Sequence, residues 1–139
     1  MPPTAEHDGD YSGLPAHYLL TLLAPRIGQI ATQHHCSIAA AATLMCGGDE
    51  AAASHLNYVV HLKIKIVGLR VCERLLELAG LSLHDADEEM WVPLHGIRPA
   101  VRMAGDELWA QGLPLTEDTL LARARQLIDR RRRLLEERP

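Results

Sequence analysis

Histidine is the residue type that first suggests chemistry in this sequence, because the chain of 139 residues contains 8 copies. A helix brings two metal ligands together when they are three or four residues apart, and no two of these histidines have that spacing. His84 has it with Asp87 and Glu88, but in a segment predicted to be irregular. No metal or other cofactor is therefore predicted. A site assembled from residues distant in the chain would draw on His34, His35, Cys36 and His84.

Cys36 comes nearest to an activated nucleophile, because His34 and His35 precede it directly. Adjacent residues on a helix point in different directions, so the sequence predicts a buried thiol rather than a catalytic pair. No local nucleophile signature occurs, and Gly47-Gly48 is too short to hold a phosphate. We expect a non-catalytic protein. A small enzyme or metal-binding protein that uses the scattered histidines and cysteines is the second alternative.

Arginine is concentrated near the end of a chain whose net charge is −4. Four consecutive arginines wrap most of the way around a helix, so they cannot all enter one groove. One interpretation is a solvated helix in which they pair with nearby carboxylates such as Asp129. The other is contact with nucleic acid or an acidic partner. The residues predicted for that contact are Arg123, Arg130, Arg131, Arg132 and Arg133.

The segment 30–44 resembles the core of a DNA-binding helix-turn-helix. Ser37 stands where that motif opens its second helix. Two features depart from the motif, because His35 takes the place of the usual Gly and the second helix is nearly all Ala. The apolar stripe continues through His34 and Ile38, which predicts one straight helix across the segment.

A long helix is predicted over residues 50–79, with Asp49 as its N-cap and Gly80 at its end. The stretch 60–66 alternates apolar and polar residues, as strands do, but no second alternating run is present to pair with it. Apolar residues at steps of three and four continue through that stretch and favour the helix. The residues on this stripe are Leu56, Val60, Ile64, Val67, Val71, Leu75 and Leu78.

The fold predicted from these patterns is an all-α helical bundle. A helix at about 15–46 joins the helix at about 50–79 through Gly47-Gly48 as an antiparallel hairpin. Two C-terminal helices follow at about 99–111 and 116–137, after an irregular acidic segment that contains Trp91. Residues 1–13 are expected to form a flexible lead-in, and residues 14–139 a single helical domain.

A helix that is apolar on two sides must be covered on both. In the predicted 50–79 helix, a second set of apolar residues lies nearly opposite the first. The C-terminal helices or a second subunit must cover this set, and we expect a homo-oligomer. The predicted interface consists of Tyr58, Leu62, Ile66, Leu69 and Leu76.

The function expected from the sequence is therefore that of a helical regulatory or adaptor protein that self-associates and binds a protein partner. The first alternative is a nucleic-acid-binding transcriptional regulator that uses the arginine-rich helix and the segment 30–44. No long apolar run or signal peptide is recognisable, and the odd number of cysteines, 3, is typical of a reducing compartment. These features predict a cytoplasmic protein without a membrane partner.

Overall fold

Helices make up most of the chain in the computed structural model, which describes residues 11–136 and confirms the mostly-α class. A short three-stranded sheet joins them. In chain order, the described elements are β1 (Ser12–Pro15), α1 (Ala16–His34), α2 (Ile38–Met45), α3 (Glu50–Val60), β2 (Ile66–Gly68), α4 (Leu69–Leu78), β3 (Val92–Pro93), α5 (Ile97–Ala110) and α6 (Glu117–Glu136).

The predicted helix from about 15 to 46 is two helices in the structure. His35 has φ 51 and ends α1 in the left-handed conformation, while the Cys36 amide donates to the Ala31 carbonyl at 3.1 Å. The Ser37 hydroxyl accepts from the Ala40 amide at 3.1 Å and so caps α2. The prediction of one straight helix is wrong here, because local capping overrides an apolar stripe that fits both arrangements.

The predicted helix from 50 to 79 is also interrupted. It ends at Val60, and Leu62 follows with φ 51. The alternating stretch then leads into β2, whose partner is β1, with Leu14 opposite Val67 and Pro15 opposite Ile66. The prediction failed because β1 has no alternating pattern by which a partner strand could be recognised.

Strand β1 lies between the other two strands and is antiparallel to both. Gly13 faces β2 so closely that a Cβ there would lie 2.9 Å from Cγ2 of Ile66 and overlap the Val67 carbonyl. Ser12 and Gly13 thus belong to the sheet, although the sequence predicts them to be part of a lead-in. Residues 1–10 of that lead-in lie outside the described part of the chain.

Two groups of buried side chains hold these elements together. The larger one joins β1, β2 and helices α1–α4, with Leu14, Leu19, Leu56 and Leu75 all fully buried. Complete burial of such a side chain contributes about 1.5–3 kcal/mol. The smaller group lies between α5 and α6, and Trp91 packs against both groups.

The C-terminal helices match their prediction within two residues at each described end, although residue 137 lies outside the described range. Helices α5 and α6 pack on each other and on β3, and α5 also contacts β1. No helix within residues 11–136 is long and apolar enough to cross a membrane.

Candidate nucleic-acid interface

Helices α2 and α3 are joined by a four-residue turn, Cys46–Asp49. Gly47 adopts φ 60, a conformation that glycine reaches without strain, and its amide donates to the Leu44 carbonyl at 3.0 Å. The Asp49 side chain accepts from the Ala52 amide at 3.0 Å and caps α3. Two helices joined by a short glycine-containing turn form a helix-turn-helix unit.

Helix α3 has one side in the core and one in solvent. Ala52, Leu56 and Val59 are buried and attach it to the larger core. Beyond the first turn, the outer side carries side chains that can hydrogen-bond. Those exposed residues are Ser54, His55, Asn57 and Tyr58, with His61 directly after the helix.

Helix α2 presents a different surface. Ala39 and Ala40 are exposed, between the half-exposed apolar side chains of Ile38 and Leu44. Thr43 is the polar residue of this outer side, and its hydroxyl donates to the Ala39 carbonyl at 3.2 Å. The segment 30–44 therefore consists of the end of α1, a turn at 35–37 and most of α2, and its second helix has little with which to contact a base edge.

The electrostatics at the start of α3 are set by one ion pair. Arg74 on α4 donates from Nε to Oδ2 of Asp49 at 2.9 Å. The pKa of Asp49 is lowered, first by the Ala52 amide and then by Arg74. Two cations, Lys63 and Lys65, lie exposed in the loop that follows α3, and Glu50 is an exposed carboxylate in its first turn.

The arginines predicted to contact nucleic acid do not form one surface. Arg123 donates from Nε to Glu107 at 2.6 Å, and Arg130 donates to the Trp91 carbonyl at 3.1 Å. Arg132 pairs with Asp129 at 3.1 Å. Three of the five residues thus make contacts within the chain. Of the other two, Arg131 is half-buried, with a buried Nε that has no hydrogen-bond partner, and Arg133 is exposed.

The predicted oligomer interface is divided by the break after α3. Tyr58 and Leu62 are 49% and 42% exposed, whereas Leu76 is 0% exposed and belongs to the core of the single chain. Ile66 is in β2 and Leu69 begins α4, both half-buried. Leu76 cannot face a second chain, because it is buried within this one. The prediction had placed it on the same side as Tyr58 because it assumed an unbroken helix.

The candidate metal ligands remain apart in the part of the chain that the structure describes. No group of three His, Cys, Asp or Glu side chains there could hold a metal ion. His35 and Cys36 lie in the turn between α1 and α2, and His84 is in a single 3₁₀ turn, Leu83–Asp85. Burial raises the pKa of Cys72 to about 12, which is opposite to the activation that a nucleophilic thiol needs.

The acidic segment 81–98 contains two 3₁₀ turns and strand β3, and α5 begins within it at Ile97. Ser82 and Asp85 cap each other in the first turn, and Asp87 caps a second 3₁₀ turn, Glu88–Met90. The Asp87 amide donates to the hydroxyl of Tyr18 at 2.8 Å, which ties the segment to α1. It borders a mixed-charge cleft of about 600 Å³ beside α5 and α6.

Sequence reasoning missed the outer side of α3. The signal was present, since Ser54, Asn57, Tyr58 and His61 recur at steps of three and four opposite the stripe that contains Leu56. Comparisons of the chain with protein-family models, with curated proteins and with solved structures found no match.

Proposed function

We propose that the protein is a DNA-binding regulator that inserts α3 into the major groove of a duplex and acts as a homo-oligomer in the cytoplasm. The observation that carries this proposal is the outer side of α3, where Ser54, His55, Asn57, Tyr58 and His61 follow a glycine-containing turn. In a helix-turn-helix, the second helix reads base edges while the first crosses the backbone.

Two groups on this surface are suited to contacts with base edges. Asn57 can pair in a bidentate manner with N6 and N7 of adenine, and Ser54 can donate to or accept from either base type. Lys63 and Lys65, exposed after α3, are suited to the phosphates that fix the register of the protein on DNA.

The net charge of the chain predicts that hydrogen bonds to bases contribute more to DNA binding than non-specific electrostatic attraction does. A net charge of −4 provides no general affinity for DNA. The pair between Asp49 and Arg74 offsets one of the carboxylates nearest to α3. We therefore expect modest non-specific binding with a shallow salt dependence, and a larger preference for a particular sequence.

Selection from a pool of random duplexes, followed by fluorescence anisotropy at low and high salt, tests the proposal. Asn57→Ala should weaken binding to the selected duplex by about 1–3 kcal/mol and relax the preference at one base position. Lys63→Ala should weaken binding to all sequences alike and reduce the salt slope by about 1.

Arg133→Ala is the matched control, because Arg133 is exposed on α6 and was itself predicted to contact nucleic acid. Binding that is lost with Arg133→Ala but kept with Asn57→Ala would move the interface to the arginine-rich helix. If no duplex is enriched, the DNA-binding proposal fails.

A second candidate, an adaptor that binds a protein partner, is favoured by the apolar outer side of α2. Ile38 and Leu44 are each about half exposed on a helix of eight residues. Exposed apolar surface of this kind is typical of protein contacts. Failure to enrich DNA, together with partner binding that Leu44→Glu abolishes, would favour this function.

A further inference from the structure

The mixed-charge cleft beside α5 and α6 has the size of a site for a small molecule. Its volume is about 600 Å³, and pockets that hold organic ligands have volumes of about 300–1,000 Å³. Its walls come from β1, the 3₁₀ turn Glu88–Met90 with Trp91, α5 and α6. Ligand sites occur frequently between packed helices, and this cleft lies where Trp91 joins the two groups of buried side chains.

Two arginines brace the walls of the cleft. Arg123 of α6 donates from Nε to Glu107 of α5 at 2.6 Å, and Arg130 donates to the Trp91 carbonyl at 3.1 Å. Both arginines line the cleft, and these bonds hold them in place. Because Glu107 offsets the charge of Arg123, little positive charge remains for an anionic ligand.

Negative charge is in excess in the same lining. Four carboxylates line the cleft, against the two arginines. Two of the four, Asp106 and Glu107, already have interaction partners. The other two, Glu88 and Glu89, are exposed, and neither carboxylate has an ion pair or a side-chain hydrogen bond within residues 11–136. Uncompensated negative charge is therefore present at the 3₁₀ turn.

Two aromatic residues complete the chemistry of the cleft. Tyr11 and Trp91 both line it, and both are half-buried. The face of an aromatic ring attracts an organic cation, and the attraction increases as the cation loses water. Carboxylates and aromatic rings in one recess thus favour a cation that also has a hydrocarbon part.

The arrangement of the carboxylates favours an organic cation over a metal ion. A metal ion needs several ligands that converge on one point at short distance. No group of three His, Cys, Asp or Glu side chains among the described residues is arranged in that way. An organic cation is larger and can contact groups that lie apart.

We propose that the mixed-charge cleft binds a small protonated organic amine. Its ammonium group contacts Glu88 and Glu89, and its hydrocarbon part lies against Trp91 and Tyr11. This inference goes beyond the proposed function and does not depend on DNA binding, because the cleft is lined by elements other than α3.

Isothermal titration calorimetry on the full chain tests the inference with diaminobutane. Butanediol and succinate, which have the same chain length, are the neutral and anionic comparison molecules. Only the diamine should give saturable heat. Glu88→Gln combined with Glu89→Gln should raise its dissociation constant at least about 10-fold, because two charge pairs are lost. Glu73→Gln combined with Glu117→Gln is the matched control, since it removes the same charge from exposed positions on α4 and α6 and should leave binding unchanged.

Tryptophan fluorescence gives a second measurement. The chain has 2 tryptophans, and Trp109 is 77% exposed, so Trp109→Phe leaves Trp91 as the reporter of the cleft. Diaminobutane should change the emission of Trp91 with the dissociation constant found by calorimetry.

Three results would overturn the inference. One is the absence of saturable heat with millimolar diaminobutane. Another is equal weakening of binding by the two double variants, which would indicate non-specific attraction to the whole chain. The third is binding of succinate that Arg130→Gln abolishes, because the cleft would then be an anion site. All three leave the DNA-binding test unaffected.

Discussion

Arg74 donates from Nε to Oδ2 of Asp49 at 2.9 Å, while the other carboxylate oxygen of Asp49 accepts from the Ala52 amide at 3.0 Å. One side chain thus caps α3 and ties it to α4. The direction in which α3 points is therefore fixed by two bonds at its first turn as well as by its buried residues.

Removal of the cap should destabilise the protein more than removal of the ion pair. Asp49→Ala loses both bonds, whereas Arg74→Gln keeps the cap and loses an exposed pair of small value. Thermal unfolding followed by circular dichroism should therefore rank the melting temperatures as wild type, Arg74→Gln, then Asp49→Ala. Equal melting temperatures for the two variants would show that the cap contributes nothing.

The same residue predicts a dependence on pH. The folded-state pKa of Asp49 lies below its ordinary value of 3.8, first because of the Ala52 amide and then because of Arg74. Its contribution to stability is complete above that ordinary value and is lost as the pH falls through the lowered pKa. The difference in melting temperature between wild type and Asp49→Ala should be present at neutral pH and shrink in strong acid.

Two glycines should respond to alanine in opposite directions. Gly13→Ala would force a Cβ to within 2.9 Å of Cγ2 of Ile66 and onto the Val67 carbonyl, so unfolding in urea should show a loss of about 1–3 kcal/mol. Gly28→Ala, inside α1 with no atom beyond the adjacent helix backbone within 4 Å of the new Cβ, should gain about 0.5–1 kcal/mol. A stable Gly13→Ala protein would contradict the close pairing of β1 and β2.

Replacement of Arg130 and of Arg132 by alanine should change the stability of the protein by different amounts. Arg130→Ala removes the donor to the Trp91 carbonyl and should cost about 1–2 kcal/mol of unfolding free energy. Arg132→Ala removes only an exposed pair with Asp129 and should change stability by less than about 0.5 kcal/mol. Equal losses from both would contradict the half-buried position of Arg130.

Local signals in the sequence were sufficient to predict where several helices begin or end. Asp49 and Gly47 mark the turn before α3, and the apolar stripes give α5 and α6 with nearly correct ends. The breaks after His34 and Val60 were not predictable in this way, because the stripe continues across both. The break after Val60 is followed by pairing of β2 with β1, a contact between residues more than fifty positions apart in the chain.

The candidate surface was predictable only in part for a related reason. A polar helix side is usually just solvated, so Ser54 and Asn57 become informative only when a short turn and a second helix are known to lie beside them. The run of arginines misleads in the opposite direction, because its sequence signal is strong and its free surface is small. Its sequence suggests a free basic surface, but Arg130 is bound to a carbonyl 39 positions earlier in the chain.

The three cysteines should differ in reactivity. Cys36 is partly exposed, whereas Cys46 and Cys72 are buried, and burial raises the pKa of both. A disulfide reagent at mildly alkaline pH should label one thiol rapidly in the folded protein and all three in urea. Cys36→Ala should remove the rapid phase, and a rapid phase that persists would contradict the burial of the other two.

Cys72 also predicts instability in alkali. Its thiol has an ordinary pKa of 9.0 and a folded-state pKa of about 12, so the unfolded chain loses the proton first. The stability that comes from the protonated thiol is complete below 9.0 and declines as the pH rises toward 12. The unfolding free energy of Cys72→Ala, although lower at neutral pH because a buried side chain is truncated, should decline less over this range than that of the wild type.

Glu50 offers the most direct test of whether α3 approaches phosphate. Its carboxylate is exposed in the first turn of α3, where it would repel a nearby DNA backbone. Glu50→Gln should therefore strengthen binding to duplex DNA by about 5-fold, which corresponds to ~1 kcal/mol for unit charges near each other in water. Glu117→Gln, an exposed carboxylate in the first turn of α6, is the matched control and should leave the affinity unchanged. Anisotropy titrations in which both variants bind like the wild type would place the DNA away from the start of α3.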